Sequence, residues 1–186
     1  LVNNGYRSGF HVCLTCGWSN VIDFQPGRAP RPSRSHTNPL TQKECTGSLK
    51  QYHLGHHFMT DVLQIRFLMS INGDSAIYSL LSAILNGASD ALEIPRDDVD
   101  GVIFFQDGQP SFLLYDTTPG GSGHVELIYN CLRPALESAY KRVARCEGCA
   151  PDTSCYSCLR GYTNQKWHDI LVRGEAANLL KSVLGK

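Results

Sequence analysis

The sequence predicts a protein of the α/β class, of α+β type, in which a small mixed sheet and two to three packed helices lie between two cysteine-rich modules. Three observations support this class. Residues 62–67 alternate like a half-buried strand, residues 77–92 repeat apolar side chains at helical spacing, and seven of the eight cysteines form two groups on either side of this centre. A chain of 186 residues is long enough to bury a core of its own as one integrated domain.

Charge and hydropathy exclude several classes of protein. The 17 Lys and Arg balance 17 Asp and Glu, so a basic footprint for nucleic acid would have to be local. No run approaches the ~18 consecutive apolar residues that span a bilayer. The sequence does not begin with Met, and its first residues lack the charged segment followed by an apolar segment that is typical of a signal peptide. We therefore expect a cytoplasmic piece of a longer protein.

Residues 1–50 are expected to form an N-terminal module with a Pro-rich loop. The segment from Gln25 to Pro39 holds four prolines, which exclude a regular helix or a central strand. It also carries Arg28, Arg31 and Arg34, which form a local basic strip. We expect a long exposed loop here, followed by an α/β core over residues 51–186.

The core is expected to begin with a strand and a long helix. The strand covers Val62 to Phe67. The helix starts near Gly73, runs to about Leu92 and is stopped by Pro95. Two apolar runs, residues 101–105 and 111–116, then flank a Gly-containing turn and predict a β-hairpin.

The second half of the core is expected to add two more helices. A Gly-rich corner at residues 117–123 follows the hairpin, and apolar positions from Val125 to Tyr140 predict one long amphipathic helix. A closing helix is predicted over residues 170–184. No internal repeat is visible in the sequence.

The C-terminal cysteines have the spacing of a structural zinc site. Two Cys-x-x-Cys pairs fall within thirteen positions, and paired ligands at this spacing supply half of a zinc tetrahedron each. The four predicted ligands are Cys146, Cys149, Cys155 and Cys158. Two disulfides or free thiols would be the alternative, but disulfides belong to a secreted context that nothing else in the sequence supports.

A second zinc site is predicted in the N-terminal module, which makes two zinc ions per chain. Cys13, Cys16 and Cys45 leave a fourth position open, which His36 fills best and His53 fills as the alternative. The remaining possibility is a single zinc site and three idle thiols. Neither set is expected to be catalytic, because a catalytic zinc keeps one open position and these sets are full.

Candidate contacts for nucleic acid surround the C-terminal cysteines and the Gly-rich corner. Cations suit phosphates and aromatic rings suit bases. The candidates are Arg142, Arg145, Arg160, Lys166 and Trp167, with Gly120, Gly121 and Gly123 as a phosphate-binding loop between strand and helix. The alternatives are a solvated helix end with core aromatics and a strand-to-helix corner that requires glycine.

A histidine-rich segment offers an enzymatic alternative. His56, His57 and Asp61, with Asp116, could form a nuclease-like acid–base or metal site. A hydrogen-bonded corner explains the same residues, because a strand follows and His57 and Asp61 need not face one side.

Two extended motifs resemble a known family. The first runs through Asn4-Gly5, Gly9-Phe10-x-Val12-Cys13-x-x-Cys16-Gly17, His36, Cys45-x-Gly47 and His53-Leu54-Gly55-His56-x-Phe58-x-Thr60-Asp61. The second is Tyr115-Asp116-x-x-Pro119-Gly120-Gly121-x-Gly123, followed by the final four cysteines. Both resemble the MZB family, the zinc-binding domain of mitomycin repair factor A, found at the C-terminus of DEAD/DEAH-box superfamily 2 helicases and in DrmB-type proteins of the DISARM anti-phage system.

The resemblance implies a DNA-processing assembly in which the final four cysteines bind zinc and helicase motor domains lie in the same chain or in a partner subunit. It supplies no accepted catalytic residue. We therefore predict a non-catalytic, zinc-binding accessory domain that assists DNA engagement in DNA repair or anti-phage defence. The alternatives are a protein–protein docking module of a defence complex and the nuclease-like site.

Overall fold

The computed structural model describes residues 2–3, 9–22 and 35–186. The chain folds as two compact units, Leu1–His57 and Phe58–Lys186, which we call the N-terminal and C-terminal units. The division of the sequence at residue 50 stays a prediction. Arg28, Arg31 and Arg34 lie outside the described residues.

The N-terminal unit is built from short antiparallel strands. They are β1 Val2–Asn3, β2 Phe10–Cys13, β3 Ser19–Val21, β4 His36–Thr37, β5 Glu44–Cys45, β6 Leu49–Tyr52 and β7 Leu54–Gly55. Strands β3, β2 and β6 form one sheet in that order, while β4 pairs with β5 and β1 pairs with β7. The predicted ligands lie at strand ends: Cys13 ends β2, His36 begins β4 and Cys45 ends β5.

The C-terminal unit contains a three-stranded antiparallel sheet. Its strands are β8 Val62–Ile65, β9 Val99–Gln106 and β10 Gln109–Asp116, in the order β8-β10-β9. The predicted hairpin is formed by β9 and β10. Asp107 and Gly108 both have positive φ, of 53° and 75°, as a two-residue hairpin turn matched to the sheet twist requires. The buried side chain of Phe112 lies opposite Ile65 and Ile103, which directs this face of the sheet into the core.

Four α-helices complete the C-terminal unit. They are α1 Asp74–Leu92, α2 His124–Asn130, α3 Leu132–Ala144 and α4 Arg173–Leu184. Helix α1 is buried along most of its length and packs against α3 and α4. A Cβ atom added at Gly87 would lie 2.5 Å from the backbone nitrogen of Ala139, so glycine permits the close approach of α1 and α3. The core thus forms where the helices cover one face of the sheet.

The predicted helix from Val125 to Tyr140 is in fact two helices, which meet at Cys131. Pro134 causes the break, because it has no N–H to donate to the carbonyl of Asn130 and its ring would crowd that carbonyl in a continuous helix. Cys131 has a φ of −120°, outside the helical range, and the chain resumes as α3 with Ala135 N–H donating to the Cys131 carbonyl.

The predicted α+β class is confirmed. Among the strands of the described ranges every pairing is antiparallel, so the predicted mixed sheet resolves into small antiparallel sheets, and the break at Cys131 brings the number of described α-helices to four. No helix within the described part of the chain is long and apolar enough to cross a membrane.

Candidate metal centres

The C-terminal centre brings together the four cysteines that follow α3. Their Sγ atoms are separated by 3.5 Å (Cys146 and Cys155), 3.7 Å (Cys149 and Cys158), 3.8 Å (Cys155 and Cys158) and 4.0 Å (Cys146 and Cys149). A tetrahedron of thiolates around zinc at the usual Zn–S length has edges of about 3.8 Å. The donor set and its spacing therefore fit a four-coordinate zinc ion.

Local backbone geometry produces this arrangement. The carbonyl of Cys155 accepts N–H groups from Cys158, Leu159 and Arg160, which closes the second Cys-x-x-Cys pair into a tight turn. Glycine suits the position between the first two cysteines, because a Cβ atom at Gly148 would make a tight contact of 3.0 Å with the Cys155 sulfur. Cys158 and Leu159 are fully buried and anchor the turn in the core.

The N-terminal centre contains Cys13, Cys16, His36 and Cys45, whose donor atoms all lie within 4.8 Å of one another. The Cys13 and Cys45 sulfurs are 3.9 Å apart, and the Cys16 sulfur is 3.2 Å from His36 Nε2. The pairing of β4 with β5 places His36 directly opposite Cys45. Gly47 is required beside them, because a Cβ atom there would lie 2.8 Å from the Cys13 sulfur.

The orientation of His36 distinguishes it from His53. Its Nε2 points at the Cys16 sulfur, its ring stacks on Trp18 with centroids 4.9 Å apart, and its buried Nδ1 has no hydrogen-bond partner among the described residues. His53 is exposed and belongs to neither cluster. The geometry favours His36 as the fourth donor.

The pKa values of the thiols indicate which cysteines of the two clusters ionise readily. Burial raises the pKa of Cys13, but N–H groups of Cys16 and Thr15 outweigh it and lower the pKa to about 6. Burial raises the pKa of Cys158 to about 12. In Cys155 the opposing effect of burial is outweighed by hydrogen bonds from Cys146 and Ser157, and the pKa falls to about 7. The neighbouring thiols of one cluster therefore do not all ionise together unless a cation offsets their charge.

Replacing His36 by alanine should lower the zinc content of the chain by one ion, because the N-terminal cluster would keep only three donors. His53→Ala is the matched control, and it should leave the zinc content unchanged. Native mass spectrometry of the two variants measures this directly. Loss of zinc from the His53 variant alone would reverse the assignment.

Most of the predicted nucleic-acid residues have partners within the protein. Arg142 donates to both carboxylate oxygens of Asp90, at 2.9 and 2.7 Å, and Arg160 donates to the Ser154 hydroxyl. The Trp167 ring stacks on Tyr78 with centroids 3.8 Å apart, and the Lys166 ammonium lies 5.0 Å from the Trp167 centroid. These side chains hold the C-terminal unit together.

Arg145 differs from the other candidates. It is exposed and forms no hydrogen bond or ion pair through its side chain with the described residues, and the same is true of Lys141 one turn earlier on α3. Both line an open groove of about 640 Å³ beside Cys146, together with Arg142, Asp90 and Glu147. The groove therefore offers two unpaired cations.

The Gly-rich corner directs its N–H groups inward. Ser122 and Val125 donate N–H to the buried Asp116 carboxylate at 2.7 and 3.0 Å, and Gly120 and Gly121 donate to backbone carbonyls. Gly120, Gly121 and Gly123 all have positive φ, between 80° and 93°. A phosphate contact at these glycines stays a prediction, and the hydrogen bonds favour the alternative of a corner that requires glycine.

The histidine-rich segment does not assemble into a metal site. Within the described ranges, the groups of His, Cys, Asp and Glu that are able to hold an ion are the two cysteine-rich clusters, which do not include His56, His57 or Asp61. The carboxylate of Asp116 is occupied by the N–H groups of the corner. The geometry gives the nuclease-like alternative no support.

One segment of the C-terminal unit matches a known protein family. Residues 80–159 match the sequence profile of MZB, described as the MrfA Zn-binding domain. Residues 80–159 are an MZB domain. It comprises most of α1, strands β9 and β10, helices α2 and α3, and all four cysteines of the C-terminal centre. Zinc is therefore the cofactor of this domain, and the described structure holds two four-donor clusters suited to it.

Similar proteins extend beyond the MZB domain. The chain is 32% identical over 206 residues to Druantia protein DruE of Escherichia coli (strain UMEA 4076-1), and the alignment covers 98% of this chain and 11% of DruE. A crystal structure of DUF1998 helicase MrfA bound to DNA and AMPPNP has a TM-score of 0.52 and 18% identity, covering 76% of this chain and 18% of that one. A crystal structure of the same helicase bound to DNA has a TM-score of 0.47 and 17% identity, covering 77% of this chain and 16% of that one. The MrfA match at 0.52 shows a shared fold.

Two residues that contact the MZB cysteines were missed by the sequence analysis. Asn86 on α1 donates to the Cys158 carbonyl at 3.0 Å, and Arg173 on α4 donates to the Cys149 carbonyl at 3.2 and 3.0 Å. A backbone carbonyl is present at every position, so these contacts impose no spacing of residue types that a sequence could reveal.

Proposed function

We propose that each cluster binds one structural zinc ion and that the chain is a non-catalytic accessory domain that helps a larger protein engage DNA. The proposed ligands are Cys146, Cys149, Cys155 and Cys158 in the C-terminal centre, and Cys13, Cys16, His36 and Cys45 in the N-terminal centre. The observation that carries the proposal is that both clusters present four protein donors. A full tetrahedron leaves no open position for a reacting water or substrate.

The assembly in which the chain works is proposed from the proteins to which it is similar. The chain spans about 11% of the length of DruE and 18% of the MrfA structure, so the activities of those whole proteins are hypotheses here. MrfA is a helicase that has been crystallised with DNA. We propose that this chain works beside helicase motor domains, in the same chain or in a partner subunit, in the cytoplasm and in DNA repair or anti-phage defence.

The groove beside Cys146 is the proposed DNA contact. Lys141 and Arg145 are exposed there, and no described carboxylate pairs with either of them. Because the chain has a net charge of zero and zinc held by four thiolates carries about −2, the overall charge does not attract DNA. Binding would therefore depend on local cations, and we propose these two.

The experiment is a titration of single-stranded and forked DNA over a salt series. For the parent chain, log affinity should fall linearly with log salt. The double variant Lys141→Ala/Arg145→Ala should flatten the slope on a single strand by about 1.4, because each lost phosphate contact contributes roughly 0.7. Lys43→Ala/Lys181→Ala removes the same charge elsewhere and should keep the parent slope. Equal slopes for both double variants would contradict the proposed contact.

A docking role is the second candidate, and exposed apolar side chains on the two edge strands of the C-terminal sheet favour it. The edge strands of the sheet expose Val62 on β8 and Phe104 and Phe105 on β9, with more than half of each side chain open to solvent. Exposed apolar groups of this size are typical of protein contacts. Absence of DNA binding at low salt would favour docking over DNA engagement.

A further inference from the structure

Arg173 lies in an unusual position for an arginine. It is the first residue of α4, and a cation at a helix N-terminus opposes the helix dipole. Its guanidinium donates to two backbone carbonyls: Nε and Nη2 to Cys149, and Nη1 to Val143 at 3.0 Å. Among the described residues, no carboxylate lies within ion-pair distance of its charge.

The backbone of α4 is attached to the same loop. The N–H of Arg173 donates to the carbonyl of Thr153 at 2.9 Å, and the N–H of Gly174 donates to the carbonyl of Pro151 at 2.8 Å. Both acceptors lie between Cys149 and Cys155, within the metal-centre loop. The start of α4 approaches the loop closely, since a Cβ atom at Gly174 would lie 2.7 Å from the Pro151 carbonyl oxygen. The start of α4 thus fixes the loop by its main chain and by its first side chain.

Arg142 provides a contrast. Its Nε donates to the carbonyl of Cys158 at 3.0 Å, as Arg173 donates to the carbonyl of Cys149. However, the charge of Arg142 is offset by Asp90. Two arginines therefore bind the carbonyls of two cysteines of the centre, and of the two only Arg142 forms an ion pair with a described carboxylate.

We propose that Arg173 is the positioning residue of the C-terminal metal centre, fixing the backbone of Cys149 and supplying the positive charge that offsets the metal–thiolate group. The inference rests on the proposed zinc site, where four thiolates around one zinc ion carry about −2. Hydrogen bonds around metal ligands orient them and change metal affinity by about 10- to 100-fold. The unfavourable place of Arg173 at a helix N-terminus is then explained by the carbonyls of Cys149 and Val143 that it binds beside the centre.

The test measures zinc affinity and cysteine protection in the full zinc-loaded chain. Arg173→Met keeps the side-chain stem but removes charge and donors, and it should weaken zinc binding at the C-terminal centre about tenfold in competition with a chelator. Alkylation followed by mass spectrometry should show faster labelling of Cys146, Cys149, Cys155 and Cys158 and unchanged labelling of Cys13, Cys16 and Cys45. Arg173→Lys should recover part of the loss because it keeps the charge.

A core variant separates this role from general destabilisation. Leu136→Ala on α3 should lower the melting temperature while the four C-terminal cysteines keep the parent labelling rate. Parent rates in Arg173→Met would overturn the proposal, and equal losses in Arg173→Met and Arg173→Lys would overturn its charge component. If the parent itself lacks zinc at these cysteines, the proposed function fails first, and the two failures are thereby distinguished.

Discussion

Replacing Cys158 by serine should remove one zinc ion per chain and lower the free energy of unfolding of the C-terminal unit by about 5 kcal/mol or more. The estimate follows from the apparent binding free energy of structural zinc, roughly 10–16 kcal/mol in small zinc domains. Cys158 is fully buried beside Leu159, so the loss of its metal bond also leaves a polar hydroxyl in the core. Metal analysis and thermal unfolding followed by circular dichroism measure both effects.

Cys131→Ser is the matched control for this variant. Cys131 lies at the junction of α2 and α3 and belongs to neither cluster. The control should keep two zinc ions and lose no more than about 1 kcal/mol, as ordinary substitutions outside buried networks do. A Cys158 variant that retains the full zinc content and the parent stability would contradict the structural role of the centre.

Replacing Asp116 by asparagine should destabilise the C-terminal unit by about 2–3 kcal/mol. The buried carboxylate accepts N–H groups from Ser122 and Val125, and an asparagine amide supplies one acceptor while turning its own donors toward the other N–H. Denaturant unfolding of the zinc-loaded chain measures the change. Asp169→Asn, an exposed carboxylate with no side-chain hydrogen bond to the described residues, should change stability by less than about 0.5 kcal/mol.

The stability lost in Asp116→Asn should depend on pH. Burial raises the pKa of Asp116, but the N–H groups of Ser122 and Val125 outweigh it, so the folded pKa lies below the ordinary value of 3.8. A depressed pKa stabilises the fold above the unfolded value, and that stabilisation is lost as the pH falls through the folded value. The stability difference between parent and Asp116→Asn should therefore be constant near neutrality and shrink below pH 3.8. A difference that grows on acidification would contradict the hydrogen-bonded carboxylate.

The sequence predicted the features that depend on spacing along the chain. Cysteines two residues apart are the local half of a zinc tetrahedron, so spacing predicts the C-terminal cluster and the Cys13–Cys16 pair, whereas the choice of His36 over His53 follows from the fold. The ends of helix α1 are predicted within one or two residues, because its apolar positions recur regularly and Pro95 stops the helix. These are short-range signals, which sequence patterns carry well.

Features that depend on backbone acceptors or on long-range contacts could not be predicted. The DNA contact at Arg142 stays a prediction, but its partners within the protein, Asp90 on α1 and the carbonyl of Cys158, could not be read from the sequence. The glycine corner has the composition of a phosphate loop, but Asp116 occupies the position of the anion. In both cases the sequence indicates a group that binds an opposite charge, and the fold supplies that charge from a carboxylate of the protein itself.

The most direct test of the account is the zinc content of the parent chain, measured by native mass spectrometry together with cysteine mapping after alkylation. Two four-donor clusters predict a mass excess of two zinc ions. All seven clustered cysteines should resist alkylation until a chelator is added, and Cys131 should react independently of zinc. A chain that carries no zinc, or one whose clustered cysteines react at the same rate with and without chelator, would contradict the central claim that metal holds both units in their folded form.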